Sequence, residues 1–129
     1  KEFFFNKIKI LSSPNNEIIE YGKKALKETS IIILATKLRI FQQKIMDFWR
    51  EEMESGIIGQ DDIMNVVPLA ILLCKEPNLY LLKEYTSCFI LLDMSYFGIL
   101  TEAYILLAGA IIDYEIAIGL KTEKEKTEE

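Results

Sequence analysis

Between Ser13-Pro14 and Ser55-Gly56, Gly22 is the one residue that interrupts a helix-forming composition. Ser13 is suited to cap a helix and Pro14 to occupy its first position, with Glu17 and Glu20 following at the positive end of the dipole. A helix of about 40 residues would be about 60 Å long at 1.5 Å per residue. In a chain of 129 residues that length predicts a rod or a wrapping element, unless the chain breaks near Gly22 or Thr29-Ser30. The sequence leaves open whether 14–55 is one helix or two.

The segments on either side read differently from each other. Residues 1–13 read as a basic, aromatic arm, and the alternation Lys7-Ile8-Lys9-Ile10 suits an extended conformation, though one too short to stand alone. No signal-peptide core is visible in Lys1-Glu2-Phe3-Phe4-Phe5, which Asn6 and Lys7 cut short. Ser55-Gly56 and Gly59 frame a turn, and Asp61 or Asp62 is placed to cap the next helix, which Pro68 must kink or split. The apolar stretch Leu69 to Cys74 ends at Lys75-Glu76, and Pro77 restarts the chain. Residues 78–97 and 99–120 read as two helices, or as one bent at Gly98. Residues 121–129 form a charged, flexible tail. With no internal repeat and no strand-rich region, the expectation is an all-α single domain over 1–129. Its parts are the basic arm, the long cationic helix (14–55) and a compact apolar helical hairpin or bundle (60–120).

The apolar half does not read as a membrane span. Its charge-free run, Ala103 to Ile112, is ten residues, half of what a bilayer requires. Asp93, Glu102, Asp113 and Glu115 interrupt every longer window. Gly98, Ala103, Ala108, Gly109, Ala110, Ala117 and Gly119 permit close helix contact, so a packed hairpin is expected.

Charge is segregated along the chain. Residues 1–50 hold ten Lys/Arg against five acids, and residues 51–129 hold five Lys against fifteen acids, so +5 and −10 combine into the net −5. A basic segment on an acidic, apolar body argues for an anionic partner on one face. The chain has no His, which removes the commonest general base and the commonest metal ligand together. Cys74 and Cys88 have neither a zinc nor a redox spacing and read as buried thiols. Glu51, Glu52, Glu54, Asp61 and Asp62 read as helix-end charges, without the spacing of a calcium loop. No enzyme activity, cofactor or metal is therefore expected. Abundant Lys, Glu and Ile point either to a hot-environment source or to AT-rich coding.

On a continuous helix, with Lys23 at zero, Lys27 falls at about 40°, Lys37 at about 320° and Lys44 at about 300°. The row Lys23, Lys27, Ser30, Leu34, Lys37, Phe41, Lys44, Phe48 then forms one basic, aromatic stripe, suited to following phosphates. Arg39 and Arg50 lie nearly opposite. Expected phosphate contacts are therefore Lys7, Lys9, Lys23, Lys27, Lys37, Arg39, Lys44 and Arg50. Asp93, Glu102 and Asp113 fall at about 0°, 180° and 200° on their helices. They do not share a face, so at least one is expected to be buried against a cation of another subunit.

With its basic arm (Lys1, Lys7, Lys9), cationic helix (Lys23 to Arg50) and apolar hairpin (Leu79 to Leu120), the chain resembles the helical major capsid proteins of filamentous or rod-shaped archaeal double-stranded DNA viruses of hyperthermophiles. The resemblance is one of layout, without a diagnostic motif. It implies a virion protein, assembled in the host cytoplasm, whose N-terminal helices coat double-stranded DNA in A-form. It also implies hairpins packed between subunits, as a homo-oligomer or a heterodimer with a related capsid protein, and a lipid envelope around the assembly. Two other readings remain: a small all-α dimeric regulatory or adaptor protein, and a membrane-associated helical protein. A helix-turn-helix around Ser55–Gly59 is disfavoured because its second helix begins with acids.

Overall fold

The computed structural model describes residues 2–51, 60–92 and 97–120. These form six helices: α1 (Glu2–Leu11), α2 (Glu17–Ala25), α3 (Ile31–Arg50), α4 (Gln60–Leu73), α5 (Leu79–Leu92) and α6 (Phe97–Ala117). Among the described residues there is no strand, and the all-α class is as expected. The turn at Ser55–Gly59, Asp93 and the tail 121–129 lie outside the described residues, as do the side chains of Asp61 and Asp62.

The N-terminal segment is helical rather than extended. Lys7 and Leu11, one turn apart, are both 1% exposed, so the spacing of four that buries one helix face outweighs the period-two alternation. Ser13-Pro14 does not start a helix. Ser13, Pro14 and Asn15 make the turn, with Asn15 at φ 62°, a left-handed conformation that Asn tolerates. The cap of α2 is Asn16, whose side-chain oxygen accepts from the Ile18 and Ile19 amides at 3.0 and 3.1 Å.

The long cationic helix is two helices. α2 tightens at its end, with the Lys27 amide donating to the Lys24 carbonyl and the Glu28 amide to that of Ala25. Ser30 then caps α3. Leu26 and Ile31, either side of this corner, are buried. A straight rod would leave both apolar stripes in water, whereas the bend lays α2 against α3 and removes them from solvent. α3 shows the expected period, burying Ile31, Leu34, Ala35, Leu38, Phe41, Ile45 and Trp49.

Pro68 neither ends nor splits α4, which is a continuous helix from Gln60 to Leu73. It is accommodated opposite Gly109 of α6, where an added Cβ would lie 3.4 Å from the proline Cγ. α4 ends with Lys75 at φ 55°, and the Glu76 carboxylate accepts from the Asn78 amide at 2.9 Å as α5 begins. α5 and α6 are separate helices, and Gly98 lies inside α6 rather than at the bend. α6 is apolar all round because it packs against α3, α4 and α5 together. It stops in a Schellman motif: the Leu120 amide donates to the Glu115 carbonyl, the Gly119 amide to that of Ile116, and Gly119 has φ 85°. Among the described residues no helix is long and apolar enough to cross a membrane.

Candidate nucleic-acid interface

The segregation of charge along the chain holds among the described residues. Of the eleven Lys/Arg among the described residues, nine belong to 2–51, against six carboxylates; the described part of 60–120 carries two Lys against seven. The α1–α3 portion is therefore formally +3 and the α4–α6 portion −5.

Individually, the eight expected phosphate contacts are placed differently from a single stripe. Lys7 is buried, donating to the Phe48 carbonyl at 2.9 Å with its ammonium 4.0 Å from the Phe48 ring centroid. A phosphate reaches it only if α1 undocks, so the expected exposed arm cation is a packing element. Lys9 is exposed in the last turn of α1, where a cation suits the helix dipole. Lys23 pairs with Glu20 at 3.2 Å along α2. Lys27, its side chain 71% exposed, reaches Glu76 at 3.5 Å.

On α3, Lys37 donates to Glu28 at 2.7 Å. That hydrogen bond, with the attraction between the charges, raises the Lys37 pKa despite some desolvation. The Arg39 guanidinium grips Glu102 of α6 with two donors, at 3.3 and 3.1 Å. The Arg39 pKa is likewise raised, chiefly by that hydrogen-bonded contact. Lys44 stands over the Tyr21 ring at 5.1 Å, and Arg50 pairs with Asp47 at 3.4 Å.

The corner at 26–30 sets Lys23 and Lys27 on one helix and Lys37 and Lys44 on another, so the straight row does not form. Its apolar members also face inward: Leu34 is 1% and Phe41 0% exposed, and Phe48 is half-buried. The row runs along the boundary between core and solvent, which is why it mixes lysines with core residues. Glu102 finds its cation within the chain rather than on a second subunit.

Two surface pockets accompany these helices. One of about 220 Å³ is lined by Glu17, Asp47 and Glu51 with Lys44, Ile18 and Phe48; three carboxylates against one lysine make it unsuited to phosphate. The other, about 330 Å³, lies between the α4–α5 turn and α6, with Leu72, Leu79, Ile111, Tyr80 and Tyr114 among its walls. No group of three or more His, Cys, Asp or Glu among the described residues is arranged to hold a metal. Both cysteines are free. Cys74 is buried, and desolvation pushes its thiol pKa up to about 12, which leaves it a poor nucleophile. Cys88 was expected to be buried and is exposed.

The sequence reading did not identify which residues form the outer surface of the C-terminal helices. Leu81, Leu91, Ile105 and Leu120 are 64%, 81%, 58% and 66% exposed, and Tyr80, Tyr85 and Tyr114 are also open to solvent. In α5 the spacing of Leu81, Glu84, Cys88 and Leu91 carried the signal, but an almost wholly apolar helix shows no contrast between faces. Compared with family models, curated proteins and solved structures, the chain matches none.

Proposed function

We propose that this protein is a non-catalytic coat subunit that packs against copies of itself and covers double-stranded DNA without sequence preference, as the helical capsid proteins it resembles do. Its place in that reading is the virion. One observation carries the proposal: nine of the eleven described Lys/Arg lie in residues 2–51, whereas eight of the eleven large exposed apolar side chains lie in residues 80–120, the other three being Ile10, Ile33 and Ile40. A coat subunit needs this division, because one face meets phosphate and the other meets its neighbours. Within residues 2–51 the accessible cations are Lys9, Lys23, Lys24, Lys27, Lys37, Arg39, Lys44 and Arg50, of which Lys24 was not among the expected phosphate contacts. Most already hold a carboxylate, so phosphate binding proceeds by partner exchange and is weak per subunit, cooperative along the duplex and steeply salt-dependent.

The ion pairs themselves favour a second reading. Lys37–Glu28, Arg39–Glu102 and Lys27–Glu76 neutralise much of the basic face, as suits a dimeric adaptor that never meets DNA. Electron microscopy of the purified protein, with and without linear double-stranded DNA at low and high salt, separates the two. DNA-dependent filaments that dissolve in high salt support the coat reading. Discrete particles beside bare DNA leave the adaptor.

A further inference from the structure

The turn between α4 and α5 forms one wall of the cavity of about 330 Å³, and α6 forms the other. That turn is braced from within. The Cys74 and Lys75 amides donate to the Ile71 and Leu72 carbonyls at 3.1 and 3.0 Å, and the Glu76 carboxylate accepts from the Asn78 amide at 2.9 Å. The cavity is therefore formed before anything enters it. Its floor is apolar: Leu79 and Ile111 are 9% and 3% exposed, and Leu72 is half-buried. Tyr80 and Tyr114, 47% and 43% exposed, stand at the rim with ring surface still in water.

Two charged residues line this cavity, and they are not equivalent. Glu76 is committed to the fold: its side chain is 5% exposed, one carboxylate oxygen accepts from the Asn78 amide, and the other faces Lys27 Nζ at 3.5 Å. Lys75 is exposed, and among the described residues its ammonium makes no ion pair or hydrogen bond. Lys75 also sits at φ 55°, where glycine carries no steric penalty and a lysine does. The helix end alone therefore does not call for a lysine there. We propose that the cavity binds a small apolar carboxylate, its hydrocarbon body on Leu72, Leu79 and Ile111 between the tyrosine rings and its carboxylate on Lys75. The occupant follows from complementarity: apolar walls take the body, and the one uncommitted charge of the lining takes an anion. A cationic ligand is disfavoured, since Glu76 already holds its donors and Lys75 would repel it. The volume suits a ligand of roughly ten non-hydrogen atoms, for which a dissociation constant on the order of millimolar is expected. The site depends neither on DNA nor on contacts between copies of the chain.

Hydrocinnamate, a phenyl ring joined to a carboxylate, tests the site when titrated into the full chain to about 20 mM. Backbone amide chemical shifts, read by NMR, should move saturably at residues 72–80 and 111–114. Hydrocinnamamide, the neutral analogue, should bind about threefold to fivefold more weakly, the size of an exposed charge contact. Lys75→Gly removes the ammonium and suits the φ of 55°, so this variant should keep its helicity and bind acid and amide alike. Lys75→Met, which retains the apolar stem, should also lose the preference. Tyr114→Ala should weaken both ligands together. Shifts that do not saturate or that centre elsewhere overturn the site. So does a wild type that takes the amide as well as the acid, or Lys75 variants that still prefer the acid.

Discussion

The Lys7 ammonium donates a 2.9 Å hydrogen bond to the Phe48 carbonyl and lies 4.0 Å from the centroid of that residue's ring. Phe48 is in the last turn of α3, where carbonyls lack helical partners and the dipole favours a cation. One side chain thus satisfies a helix end and fastens α1 to it. Lys7→Met keeps the apolar stem but loses the charge-assisted bond and the ring contact, and should cost about 1–3 kcal/mol. Lys9→Met, on the exposed side of α1, should change stability by less than about 0.5 kcal/mol. Urea unfolding followed by circular dichroism measures both, and equal effects would contradict the anchoring role.

Glycines 22 and 98 should respond in opposite directions to alanine. A Cβ at Gly22 would lie 2.6 Å from both Cys74 Sγ and Phe41 Cε1, whereas at Gly98 nothing lies within 4 Å. Gly22→Ala should destabilise by about 1–3 kcal/mol through overpacking where α2 meets α3 and α4. Gly98→Ala, inside a helix and unobstructed, should stabilise by up to about 1 kcal/mol. The same unfolding experiment compares them.

The cysteines should behave as two different reagents. Ellman's reagent should titrate one thiol, Cys88, in the native protein and two after denaturation. The Cys74 pKa is raised from 9.0 to about 12 by burial, so the folded state holds its proton where the unfolded chain releases it. Stability therefore falls as pH rises from about 9 to about 12, by up to about 1.4 kcal/mol per pH unit. A Cys74→Ala variant, less stable at neutral pH because of its cavity, should lose this alkaline slope.

Removing carboxylates should strengthen DNA binding if the coat reading is right. Glu28→Gln and Glu102→Gln release Lys37 and Arg39, and each should raise DNA affinity and steepen its salt dependence. The pair Lys37→Glu with Lys44→Glu should abolish assembly on DNA and leave helicity intact. Fluorescence anisotropy against salt concentration reads all of these, and a lack of response in every variant would exclude the basic face.

Helical class, the apolar faces and the uneven distribution of charge were legible in the residues, because periodicity and net charge are local properties. The helical repeat of α3 was legible, but Leu34 and Phe41, expected on the phosphate-facing stripe, are buried instead. The residues leave open whether 78–120 is two helices or one bent at Gly98, and Gly98 lies inside α6. Where the cations point was not legible. Lys7 and Lys9 differ by two positions in a basic arm, yet one is buried against Phe48 and the other stands in solvent. That distinction depends on which helix docks on α1. The stripe from Lys23 to Lys44 assumed a continuous helix, and the corner at 26–30 arises because burying two apolar stripes against each other outweighs continuing one rod. Partners far apart in the chain, such as Arg39 with Glu102, and the unused row on α5 are likewise decided by packing: α6 takes the centre of the bundle, and what it leaves uncovered becomes surface.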